Sequence, residues 1–169
     1  MDTLIYWFAR AFVAVIQAMP LAFVARLGRA CGGLAYWLDA RHRHVALQNL
    51  AMCFGGEKSP PEIEDLAREN FRRIGESYAC AIKTAAMDFA ALRPHLEFAG
   101  AERFPEKIDG QPPPNIVMAI GHFGNFEIYA RFGQFRPDYQ CATTYRALKH
   151  PAFDRLLQQL RKRSGCLFF

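Results

Sequence analysis

The chain has 169 residues, enough for one domain with a sizeable core, and 51% of them are hydrophobic and 14% aromatic, which excludes disorder over most of its length. The net charge of +5 is unevenly placed: residues 1–50 carry five Arg against Asp2 and Asp39 (net +3), residues 51–130 eight basic against twelve acidic (net −4), and residues 131–169 eight basic against Asp138 and Asp154 (net +6). Basic ends around an acidic middle point to an anionic partner, either nucleic acid or a phospholipid or phosphorylated glycolipid, while Cys31, Cys53, Cys80, Cys141 and Cys166, scattered and with no CxxC, exclude a zinc knuckle or thioredoxin-like site.

From Thr3 to Ala25 the only charge is Arg10. That length approaches the roughly 20 apolar residues that span a bilayer core. Pro20 and Gln17 oppose a continuous span, and the acidic Asp2 opposes a secretory leader. Two readings stand: membrane attachment, spanning or interfacial, or a hydrophobic helical hairpin of residues 3–19 and 21–38. Arg26, Arg29, Arg41 and Arg43 follow the segment, which favours a cytoplasmic position for what comes after it. Residues 1–40 are accordingly assigned to a hydrophobic membrane-associated helical segment and 41–169 to an α/β domain.

Ser59-Pro60-Pro61-Glu62 reads as a helix start, with Ser59 as N-cap and Glu62 three residues on. Ile63, Leu66, Ala67, Phe71, Ile74, Tyr78 and Ile82 form the expected apolar face of that helix, and its charges form a solvated one. Residues 105–115 read as a loop. Ile116 to Ile120 is a continuous apolar run, expected to be a strand buried on both faces. Gly121 to Asn125 is then a turn, Phe126–Phe135 a helix, about Tyr139–Thr144 a second strand, and Pro151–Arg163 a helix. Gly165-Cys166-Leu167-Phe168-Phe169 looks like the opening of another strand. The order is α/β, and two strands cover themselves poorly, so the sequence reads as the first part of a larger sheet domain.

The stretch that can carry chemistry is Gly121-His122-Phe123-Gly124-Asn125-Phe126-Glu127. A histidine in a glycine-bearing turn after a strand lies where α/β folds place reactive groups. A carboxylate from Glu127 can fix the imidazole tautomer and leave the other ring nitrogen free to take a proton from a hydroxyl. Such a hydroxyl attacks a carbonyl, so the pair suits acyl transfer with no enzyme nucleophile. Gly124 admits a substrate close to the backbone, and helix N-terminal N–H groups suit a developing oxyanion. Spacing alone fits equally a turn histidine with an ordinary first-turn carboxylate. His42 and His44 form an HxH, which suits a phosphate-facing basic surface better than a metal lacking a third ligand. Arg146 and Lys149 suit phosphate, and Arg161, Lys162 and Arg163 suit either phosphate or the carbonyl end of their own helix.

His-x-x-x-x-Glu within this stretch resembles the signature of the late, lauroyl/myristoyl-type lipid A biosynthesis acyltransferases, relatives of the glycerolipid acyltransferases. The likeness extends to Arg41-His42-Arg43, Asn49-Leu50, Phe54, Glu62 to Phe71 and Gly75, and to Tyr145 through Pro151, Arg161 and Gly165. Ala147 stands where that family usually has Pro. The resemblance implies a glycerolipid-acyltransferase-like fold with an N-terminal membrane helix, continuing beyond the residues present in this chain. It implies His122 as general base and Glu127 as its orienting partner, with Gly124, Asn125, Arg146, Lys149 and Arg161 on the substrate. The implied donor is acyl carrier protein or acyl-CoA and the implied acceptor a glycolipid at the cytoplasmic face of the inner membrane. Neither metal nor organic cofactor is required, because the donor brings an activated carbonyl. Two alternatives remain at this level. One is another acceptor, a phosphoinositol mannoside or a lysophospholipid. The other is an inactive module that binds membrane or, less in keeping with the resemblance, nucleic acid.

Overall fold

In a computed structural model, which describes residues 2–100, 103–105 and 113–169, the chain is mostly helical with one small parallel sheet. The two-stranded sheet keeps the α/β character, but most of the expected sheet content is missing. The chain divides into two compact units, Val15–Lys83 and Met1–Ala14 with Thr84–Phe169.

The helical unit contains the end of α1 (Asp2–Ala18), then α2 (Leu21–Leu38), α3 (Ala40–Phe54) and α4 (Pro60–Thr84) up to Lys83. Pro20, extended at φ −60° and ψ 142°, separates α1 from α2, so the apolar stretch 3–25 becomes two helices rather than one. No helix among the described residues is long and apolar enough to cross a membrane. Helix α2 buries Val24, Gly28, Gly32 and Tyr36, one residue per turn along one face. Against that face lies α4, and the approach is backbone to backbone. A methyl on Gly75 would stand 2.2 Å from the Gly28 carbonyl oxygen, and one on Gly32 2.2 Å from that of Phe71. The charged margin is tied by Arg29, whose guanidinium donates to Glu69 at 2.8 Å and to Glu76 at 3.1 Å.

Helix α4 starts as expected. The Glu62 carboxylate accepts from the Ser59 N–H at 2.8 Å and from its hydroxyl at 2.6 Å. Its buried stripe departs from the expected one. Ile63 and Ala67 are buried, but Ile74 and Tyr78 are exposed. Gly75 and Ala79, which carry almost no apolar signal, meet Gly28 instead. Small residues are selected where two helix backbones touch, so hydrophobicity alone misplaces the contact by one position.

The other unit holds the start of α1, the short α5 (Phe89–Leu92), a 3-10 turn Arg93–His95, a 3-10 helix Phe126–Arg131 running into α6 (Phe132–Phe135), β1 (Ala142–Thr143), α7 (Pro151–Arg161), a 3-10 turn Lys162–Ser164 and β2 (Leu167–Phe168). Strands β1 and β2 are parallel, with Ala142 opposite Leu167, and α7 is the crossover between them. The second expected strand is therefore present but shorter than residues 139–144, and the terminal strand is present as foreseen. Its helix ends at Arg161 in α geometry, with the last expected turn tightened to 3-10. The start of α1 lies on α7, where the Tyr6 hydroxyl donates to Gln159 at 2.7 Å and the Arg155 guanidinium sits 4.8 Å from the Tyr6 ring centre. Phe98, Phe104, Phe132 and Phe135 cluster with ring centres 5.0 to 6.1 Å apart, beside a cavity of about 460 Å³.

The expected strand at 116–120 is a correction. Residues 113–121 have no regular secondary structure and no ladder partner among the described residues, and Val117 is 98% exposed. β propensity needs a neighbouring strand to become a ladder, and none of the described residues supplies one here. The expected helix Phe126–Phe135 is another, since its first six residues are 3-10 and only the last four are α. Most of the loop expected at 105–115 lies outside the described residues.

Candidate active site

The segment bearing His122 is built on two glycines. Phe123 N–H donates to the Gly121 carbonyl at 3.0 Å, closing a tight turn around His122. Gly124 has φ +57°, the left-handed region that disfavours a side chain, with nothing within 4 Å of where a Cβ would stand. The chain thereby reverses and enters the 3-10 helix at Phe126. The His122 side chain is exposed, and its ring meets Phe126 edge-on with centres 4.6 Å apart.

Glu127 begins that helix half-buried. Its two carboxylate oxygens are both held by Arg161: Nε donates to Oε2 at 2.9 Å, and Nη2 donates to Oε1. This is the paired fork geometry that fixes a carboxylate plane. The guanidinium lies against two touching rings, its carbon 5.3 Å from the Tyr145 ring centre and 5.0 Å from that of Phe168. Tyr145 in turn is fixed by an N–H bond to the Phe169 carbonyl at 3.1 Å and by Gln158 donating to its hydroxyl at 2.8 Å. The βαβ unit therefore delivers Arg161 to Glu127 across 34 residues of sequence. Arg161 Nη1 is buried with no hydrogen-bond partner among the described residues.

Of the residues singled out from sequence, the structure joins Glu127 with Arg161 and does not join His122 with Glu127 by a hydrogen bond. Gly124 forms the reversal between them. Asn125 precedes the 3-10 helix, donates from Nδ2 to the Thr84 hydroxyl at 3.0 Å, and keeps its Oδ1 buried without a partner. Arg146 and Lys149 stand exposed in the loop before α7, with no ion pair to another described residue. That loop is pinned by the Leu148 N–H donating to Asp154 at 2.9 Å. His42 sits elsewhere, in the helical unit. Its Nδ1 is 2.6 Å from Asp39, which also caps α3 by accepting the His42 N–H at 3.0 Å, so one half of the HxH is engaged locally. No cluster of three metal-ligating side chains occurs among the described residues.

Sequence reasoning missed Arg131. It is only 4% exposed, and its guanidinium donates to the carbonyls of Thr84 (2.9 Å), Met87 (2.9 Å) and Ala85 (3.3 Å). Burial and the nearby Arg163 push its pKa below the usual guanidinium value. The available signal was a cation inside the mostly apolar run Ile128-Tyr129-Ala130-Arg131-Phe132, where it requires partners to be buried.

The arrangement is an exposed imidazole, a carboxylate five residues on held at two points by an arginine, and a buried N–H of that arginine without a partner among the described residues. It has the parts for acyl transfer to a hydroxyl. No curated protein and no solved structure matches the chain. The family model described as bacterial lipid A biosynthesis acyltransferase matches residues 1–169, its whole length, so the chain belongs to that family and is an acyltransferase, acting between an acyl donor and a lipid acceptor.

Proposed function

We propose that His122 is the general base and Glu127 its orienting carboxylate in transfer of a fatty acyl group to a hydroxyl of a lipid A precursor. The observation that carries this reading is the two-point grip of Arg161 on Glu127 five residues after an exposed His122. A carboxylate has more acceptor positions than one arginine fills, so Glu127 can still accept an imidazole N–H when the His122 segment turns toward it. The two glycines, Gly121 and Gly124, supply the backbone freedom for that turn.

In the reaction, the free nitrogen of His122 takes the proton of the acceptor hydroxyl as its oxygen attacks the thioester carbonyl of an acyl carrier protein or acyl-CoA donor. The negative charge on the carbonyl oxygen is met by N–H donors, which the backbone after Gly124 can supply. Collapse breaks the C–S bond, and the imidazolium returns its proton to the departing thiolate. An ester and a free thiol result. Glu127 stabilises the imidazolium, Arg161 holds Glu127, and Arg146 and Lys149 offer exposed cations to phosphate groups on either substrate.

We further place the chain at the cytoplasmic face of the inner membrane. The support is one face of α1, where Leu4, Trp7, Phe8, Phe12 and Val15 are all more than half exposed. Tyr6, Val13 and Ile16 on the other face are buried. A helix with one apolar face covered by protein and a second left bare suits an interfacial seat, with its axis along the bilayer surface.

Transfer of label from an acyl-carrier thioester to lipid A precursor in detergent micelles tests the reading. His122→Ala should lower turnover by about 10²- to 10⁴-fold with the fold retained; undiminished turnover removes His122 from the chemistry. Offering lysophospholipid or phosphoinositol mannoside in parallel separates the acceptors.

A further inference from the structure

The turn Thr84–Met87, where α4 ends, presents four consecutive carbonyls, and two arginines collect all four. Arg131 takes Thr84, Ala85 and Met87, and Arg163 donates to Ala86. Arg131 is the last residue of the 3-10 helix that starts with Phe126 and Glu127, and Arg163 lies two residues beyond Arg161. Gln134 joins the two arms, donating to the Arg163 carbonyl at 2.8 Å and accepting from Arg131 at 3.4 Å. Asn125, at the other end of the 3-10 helix, is tied to the same turn through the Thr84 hydroxyl at 3.0 Å. Both members of the Glu127–Arg161 pair thus ride on segments fastened to one four-residue turn.

We infer that Arg131 and Arg163 are positioning residues for acyl transfer, holding Glu127 and Arg161 in register by mounting both segments on Thr84–Met87. The inference rests on the reading of Glu127 as part of the catalytic machinery. Arg131 itself is closed to substrate by its burial, so its effect passes through Glu127. Helical hydrogen bonds alone would not set this register: the segment 126–131 is 3-10, with weaker and more variable bonding than an α-helix. Three charge-assisted bonds from Arg131 to backbone oxygens make up that deficit at its C-terminal end.

Two variants test it, Arg131→Lys and the exposed Arg163→Met, each in two measurements. The first is steady-state acyl transfer per folded molecule. Loosened register should lower kcat by about tenfold or more, with KM for donor and acceptor within about twofold, because misplacement by an ångström acts on the reacting geometry rather than on binding. The second needs no turnover: amide hydrogen exchange of residues 126–131 and 161–164 should quicken together in either variant, while α2 stays as protected as before. Unchanged exchange at either segment overturns the inference. So does wild-type kcat per folded molecule, and so does a raised KM with kcat kept, which would make these residues substrate contacts. If Arg131→Lys does not fold, Arg163→Met decides on both measurements. Retained activity in Glu127→Gln would sink the dyad reading and with it the role of Arg131 and Arg163 in acyl transfer, whereas the exchange measurement reports the coupling of the two segments independently of that role.

Discussion

Arginines in the helical unit Val15–Lys83 mostly meet carboxylates, whereas around the candidate site Arg161 alone is wholly given to a carboxylate and Arg131 and Arg163 meet the main chain. Arg29 links α2 to Glu69 and Glu76 on α4, and Arg68 reaches Glu64 one turn away on its own helix. Arg131 and Arg163 instead bond four backbone carbonyls, and Arg136 divides itself between Asp138 and the Pro105 carbonyl. The difference follows from the backbone. Within long helices the carbonyls are already bonded, so a cation finds only side chains. Where helices are short and 3-10, carbonyls are left over, and buried ones need donors. The exception in the helical unit obeys the same rule: Arg43 donates to the Tyr36 and Trp37 carbonyls, at the end of α2. Side-chain ion pairs can be exchanged at small cost, but an arginine that closes a set of buried carbonyls has no easy substitute.

The sharpest way to break that contrast is to remove one arginine of each kind. Arg131→Met takes the guanidinium from the half-buried Ala85 and Met87 carbonyls and leaves the buried Thr84 carbonyl with the Met87 N–H alone, and should cost about 3 kcal/mol in urea unfolding. A cost below about 1 kcal/mol would mean that water replaces the guanidinium freely. Next in size is the glycine contact on which the helical unit relies in place of such arginines. Gly75→Ala forces a methyl into the Gly28 carbonyl and should cost about 2 kcal/mol. Gly56→Ala, with open space around it, should be neutral or stabilise by a few tenths of a kcal/mol. Equal melting of the two variants would refute the close crossing. Arg29→Met should cost less than either Arg131→Met or Gly75→Ala, because its partners are about a third exposed and water screens the pairs.

The smallest effect is in acid. Hydrogen bonds from Arg29, with help from Arg73, lower the Glu69 pKa below its ordinary 4.5, and Ser59 does the same for Glu62. A carboxyl whose folded pKa is depressed binds its proton more readily in the unfolded chain. Its contribution is therefore whole above about pH 4.5 and is lost as the pH falls through the folded value. Helical signal followed from pH 6 to pH 2 should weaken only below about pH 4.5, and less steeply in Arg29→Met. A loss beginning near neutrality would point to groups other than these carboxylates.

Elements whose signals are local were legible in the sequence: the Pro20 break, the Ser59–Glu62 start, α7 and the terminal strand. The stretch proposed to carry the chemistry stands out in the sequence because its glycines, histidine and glutamate lie within seven residues. Three features were not. The run 116–120 has the composition of a buried strand, but whether it forms one depends on a partner that the residues themselves do not specify. The α2–α4 crossing is written in glycine, which hydrophobic periodicity cannot register. The partner of Glu127 lies 34 residues downstream and that of the Thr84 carbonyl 47 residues downstream, so only tertiary structure reveals either. Arg161 was chosen as a substrate contact for its charge, and the structure gives that charge a protein partner.

The ion pair between Glu127 and Arg161 also sets an order of events in folding. Helices such as α2 and α4 consist of neighbours in sequence and form early, whereas a contact closed over a long loop comes late. Until α7 has docked and β2 has joined β1, Glu127 is a solvated carboxylate with no fixed orientation. Recovery of far-ultraviolet helical signal after dilution from denaturant should therefore run ahead of recovery of activity, and the lag between them would time the closure of the βαβ unit.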